Sequence, residues 1–84
     1  MNGAVHAINP QRGMVAIEAG GHGFTIIELM SGESIELGDQ IEWSSGYGMG
    51  GQTYRNLTKG CSFRVYVQNH GVHKSQLRQQ LLIQ

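Results

Sequence analysis

Residues 3–19, GAVHAINPQRGMVAIEA, place two short apolar runs on either side of Pro10-Gln11-Arg12-Gly13. Proline locks φ at about −65° and has no N–H to give to a ladder, so a strand that reaches Pro10 must end there. Gly13 allows the positive φ from which a returning strand can start. The segment therefore reads as a β-hairpin of Met1–Asn9 and Met14–Ala19. In the second strand Val15 and Ile17 share one side, and Met14, Ala16 and Glu18 share the other.

The remainder of the chain repeats that pattern. Thirteen of 84 residues are glycine, about twice the usual share of roughly 7%. Short strands cut by many turns have that composition, which points to an all-β chain. Phe24–Leu29 is rich in β-formers and follows the turn signal Gly20-Gly21-His22-Gly23. Gly38-Asp39 leads into a strand that points Ile41 and Trp43 inward. Ser44–Gln52 carries four glycines in nine residues and reads as a mobile loop. Tyr54–Leu57 is a short strand. In Ser62–Gln68, Phe63, Val65 and Val67, with Cys61 before them, oppose Ser62, Arg64, Tyr66 and Gln68. His73–Gln84 reads as a helix of about three turns with Leu77 and Leu81 four apart, too short to be stable alone in water. Val5, Val15, Ile17, Ile27, Ile41, Trp43 and Leu57 are expected to fill one common interior.

The charges are few and divided. The six acids lie between Glu18 and Glu42, and five of the six bases lie between Arg55 and Arg78, with Arg12 the exception. Such a division either orients a polyanion toward the C-terminal part or pairs off across one surface. The single Cys61 cannot form an internal disulfide, which fits a reducing compartment. No apolar run approaches the roughly 18 residues that span a bilayer, and no secretion leader is evident. A cytoplasmic location without membrane contact is expected. Asn56-Leu57-Thr58 matches a glycosylation acceptor only by its short pattern.

Six short strands with glycine turns suggest a small closed barrel, which leaves no sheet edge exposed. Gly3, Val5, Asn9, Arg12-Gly13, Ile17, the Phe24–Leu29 run, the Leu-Gly-Asp turn at 37–39 and Asn56-Leu57-Thr58 give residues 1–59 an order that resembles the oligonucleotide-binding (OB) barrel. Within that superfold the order is similar to the cold-shock domain. The resemblance implies a five-stranded barrel over 1–59, with residues 60–84 adding a C-terminal strand and a short helix to the same single domain. It also implies single-stranded nucleic acid as the ligand, bound on aromatic rings of the second and third strands. The matching positions hold Ala7, Met14, Ala16, Ile26 and Glu28 instead. A stacked base contributes roughly 1–3 kcal/mol, so a face without rings should bind weakly.

The expected function is a non-catalytic binding module that takes single-stranded RNA or DNA weakly. Candidate contacts are His6, Arg12, Tyr47, Tyr54, Arg55, Lys59, Arg64 and Tyr66. The alternative is a protein-interaction or self-association module that uses a Met14–Ala16–Ile26 patch or the Leu77–Leu81 helix. His70 and His73 have a spacing that a metal could bridge, but a zinc site takes four ligands; a capping role for the turn histidine is the competing reading. No metal, cofactor or catalytic residue is expected, because Cys61 alternates with core residues and Gly46–Gly51 lacks the Lys and Ser or Thr of a phosphate loop.

Overall fold

The computed structural model describes residues 1–44 and 48–82. Six antiparallel strands form a closed barrel: β1 (Asn2–Asn9), β2 (Met14–Glu18), β3 (Phe24–Leu29), β4 (Gln40–Glu42), β5 (Gly50–Asn56) and β6 (Cys61–Val72). Their order around the barrel is β1-β2-β3-β6-β5-β4, and β4 closes the ring by pairing back onto β1. The architecture is all-β, closed and consistent with an OB-like barrel.

The expected count of five barrel strands is corrected to six. The C-terminal strand is a stave of the barrel rather than an addition to it. Twelve residues let β6 pair with β5 along Cys61–Val67 and with β3 along Val65–Val72. Without it both strands would carry an open edge. Register shifts between Phe24 and Ile27 bend this long strand around the wall.

Alternation along the strands produces two apolar clusters. The inward set, Val5, Val15, Ile17, Ile27, Ile41, Trp43, Tyr54, Phe63, Val65 and Val67 among them, fills the barrel. Six of the seven expected core residues are there. Leu57 is not: it follows the last residue of β5, turns out of the ladder and is 45% exposed. Cys61 is also exposed. At the first position of β6 the ladder has only just begun, and alternation does not yet dictate burial.

The barrel closes tightly at Gly3. A Cβ there would lie 2.2 Å from the Glu18 carbonyl oxygen, so β1 can sit between β2 and β4 only if that position has no side chain. Beyond β6, the expected three-turn helix is shorter. A 3₁₀ turn, Lys74–Gln76, leads into a single helical turn, α1 (Leu77–Gln80). Leu82 then takes φ 61°, a left-handed conformation that ends the helix. The glycine-rich segment is also shorter than expected, because Gly50–Gln52 already belong to β5. No helix among the described residues is long and apolar enough to cross a membrane.

Candidate functional site

One transverse row of the barrel shows how its outer surface is divided. Met14 on β2 pairs with Glu28 on β3, Glu28 with Tyr66 on β6, and Tyr66 with Gly51 on β5. Met14 is buried, Glu28 half-buried, Tyr66 46% exposed. The surface changes character at Glu28, whose carboxylate accepts from Gln68 Nε2 at 3.1 Å.

On the β1–β3 side the C-terminal tail covers the sheet. Met14, Ala16, Phe24, Ile26 and Val72 form a second apolar cluster with Leu77 and Leu81. Residues four apart on a helix share a face, so one turn is enough to present both leucines. The tail is held at its start by His73, whose Nδ1 accepts from Ser75 N at 3.2 Å. It is held at its end by Asn9 Nδ2, which donates to the Leu81 carbonyl at 2.7 Å. The five residues expected to meet a partner thus meet one another. His6 bulges out of the β1–β2 ladder and sets its ring edge-on to Phe24, 4.9 Å between centroids. Arg12 is exposed at the seam, where it lines a shallow cleft with Met14, Glu28, Gln68, Gln80 and Leu82.

The β5–β6 side is open. Outward residues face one another as Arg55–Ser62, Thr53–Arg64 and Gly51–Tyr66. Arg64 Nη1 donates to Thr53 Oγ1 at 3.1 Å, and its Nη2 would lie 3.3 Å from a Cβ on Gly51. The guanidinium therefore reaches across the glycine beside Tyr66, and no side chain at position 51 covers the ring. Glu42 lies opposite Arg55 on β4. The acidic and basic halves of the sequence are thus neighbours on the wall.

Lys59 is engaged elsewhere. Its ammonium donates to Glu36 and lies 3.6 Å from Asp39. The Glu36 hydrogen bond raises its pKa, against desolvation, with the charges of Asp39 and Glu36 adding to the rise. Asp39 is buried, and burial alone would raise its pKa. Hydrogen bonds from Asn56 Nδ2 at 2.8 Å and Glu36 N at 3.0 Å, with the Lys59 charge, outweigh that and hold the carboxyl below its ordinary value.

Tyr54, an expected nucleic-acid contact, faces the interior. It is 2% exposed on β5 and stacks on Trp43, 5.0 Å between centroids and 6° between planes. It offers no platform to a base from solution, because β5 begins at Gly50 and the alternation turns position 54 inward. Burial pushes its hydroxyl pKa up to about 12. Among the described residues neither the Tyr54 hydroxyl nor Trp43 Nε1 has a hydrogen-bond partner. A buried polar group left unpaired costs about 1–3 kcal/mol. Both residues line a cleft of about 420 Å³ with Met1, Glu42, Ser44, Thr53, Arg55 and Ser62. Tyr47, another expected contact, lies outside the described residues.

His70 and His73 do not converge on a metal. His70 joins Thr25 Oγ1 at 3.0 Å and the Gly48 carbonyl at 2.9 Å, while His73 caps the tail. The described residues hold no cluster of three or more His, Cys, Asp or Glu suited to a metal ion. Of the eight expected nucleic-acid contacts, the register gathers Arg55, Arg64 and Tyr66 on one face. Sequence reasoning missed Thr53, Gly51 and Ser62, since only the β5–β6 register places them beside those three. Comparison with family models, curated proteins and solved structures finds no match to the chain.

Proposed function

We propose that this protein is a non-catalytic module that binds single-stranded nucleic acid weakly on the β5–β6 face. One observation carries the reading: a half-exposed ring, Tyr66, beside the outstretched guanidinium of Arg64, with no side chain at Gly51 to cover it. A ring and a planar cation side by side offer a base a surface to stack on and its phosphate a donor. Arg55 lies further along the same outward rows. The site is displaced from where the resemblance to cold-shock domains implies it, because the tail covers that other face.

Fluorescence anisotropy with an eight-base RNA or DNA strand at two salt concentrations tests the reading. Two arginine–phosphate contacts predict a log–log salt slope of about −1.4, from roughly −0.7 per contact on single strands. Binding that ignores salt, or that survives Tyr66→Ala and Arg64→Ala together, overturns it.

A further inference from the structure

Arg12 and Glu28 line one shallow cleft at the seam between the open face and the covered one, yet among the described residues no ion pair joins them. Two opposite charges are thus held apart across a space of about 220 Å³, and Met14 and Leu82 make part of its wall apolar. Glu28 is half-buried, and its carboxylate is oriented by one hydrogen bond, from Gln68 Nε2 to Oε1 at 3.1 Å. An ionised carboxylate has about four acceptor positions, so Glu28 keeps room for further donors. It also stands directly opposite Tyr66 in the β3–β6 register, so a base stacked on that ring has the cleft beside it.

Resting on the function proposed above, we propose that the cleft reads guanine in the base next to the one stacked on Tyr66, with Glu28 as the residue that sets the preference. Guanine carries two adjacent donors, N1–H and the N2 amine, which match the two oxygens of a carboxylate. On its other edge O6 and N7 accept from a guanidinium, the group that Arg12 brings. Adenine and cytosine set a ring-nitrogen lone pair beside their amine, and uracil and thymine flank a single N–H with two keto oxygens; each turns negative charge toward Glu28. A cationic side chain would meet Glu28 but would be repelled by Arg12 on the same wall. The volume lies below the roughly 300 Å³ at which small-ligand sites begin, so the cleft admits one base and leaves its sugar and phosphate outside. Both charged residues already line the open cleft, so no segment has to move.

The full chain is titrated with four labelled eight-base RNA strands, read by anisotropy: U8, and the same strand with its fourth base changed to guanine, adenine or hypoxanthine. Hypoxanthine is guanine without the N2 amine. The guanine strand should bind about tenfold tighter than U8, within the range for one bidentate contact. The adenine strand should match U8, and the hypoxanthine strand should lose most of the gain. In Glu28→Gln a neutral amide cannot match two donors, and the ratio of guanine-strand to U8 affinity should fall to about one. Removing the charge acts on all strands alike, so the ratio is what is read. The hypoxanthine strand needs no variant and decides the matter even if Glu28→Gln folds poorly. Equal binding of the guanine and U8 strands, or a guanine preference that survives loss of the N2 amine or Glu28→Gln, overturns the cleft and leaves the stacking face standing. No binding of any strand overturns both.

Discussion

The two outer faces of the barrel are built on the same wall and differ in one respect, whether the chain itself covers them. On β1–β3 the outward positions are Met14, Ala16, Phe24 and Ile26, and the Leu77–Leu81 turn lies over them. On β5–β6 the outward positions are Thr53, Arg55, Arg64 and Tyr66, and they stay open. A face this rich in apolar side chains must be covered, since a large apolar patch in water invites association. The tail supplies that cover. The covered surface is a second core, and the polar side chains Thr53, Arg55, Arg64 and Tyr66 stay open on the other face.

Breaking the cover should have the largest effect. Leu81→Asp places a charge in the second core and should destabilise the domain by about 3–5 kcal/mol, in the range of lost large core side chains. It should also make the exposed patch self-associate. Chemical denaturation reads the first effect and light scattering the second; a variant as stable and monomeric as the parent would show that the tail is not part of the fold.

Asn56→Ala should cost about 1–3 kcal/mol by leaving buried Asp39 short of a donor. The same carboxylate sets a pH limit. Its folded pKa lies below the unfolded value of about 3.9. Its contribution is therefore complete well above pH 4 and is lost as pH falls through the lowered folded value. Acid unfolding of the parent should begin below about pH 4 and be less steep in Asp39→Asn.

Gly3→Ala tests the close approach of β1 to β2 beside the closing strand β4. The added methyl meets the Glu18 backbone and should lower stability by about 1–3 kcal/mol. A Tm equal to the parent's would mean that this end of β1 frays without consequence.

The smallest effect on stability belongs to the open face. Tyr66→Ala should change folding stability by no more than about 0.5 kcal/mol while weakening strand binding by about 1–3 kcal/mol. A stability loss as large as that of Leu81→Asp would erase the distinction between the two faces.

Much of this fold is legible in residue order. Pro10 and Gly13 mark the first turn, Phe24–Leu29 is a strand as expected, and period-two alternation assigns Val15, Ile17 and Ile27 inward and Tyr66 outward. Those are local properties, set by φ limits and by the pleat. Leu57 and Cys61 fall outside that logic because they sit where a strand ends. Of the candidate site, the sequence holds the residue types but not their company. Arg55, Arg64 and Tyr66 come together through the register between β5 and β6, and Tyr54 is withdrawn from the surface by the same register.

Local chemistry alone, then, determined that this chain makes short strands, turns at its glycines and hides alternate side chains. Which strands are neighbours, that β6 closes the ring, and that sixteen residues after the start of β6 the Leu77 side chain comes to lie over Met14, Ala16 and Ile26 were decided by tertiary structure. Apolar attraction has no direction and cannot select a partner from sequence. Only the geometry of a closed barrel brings that particular turn to that particular wall.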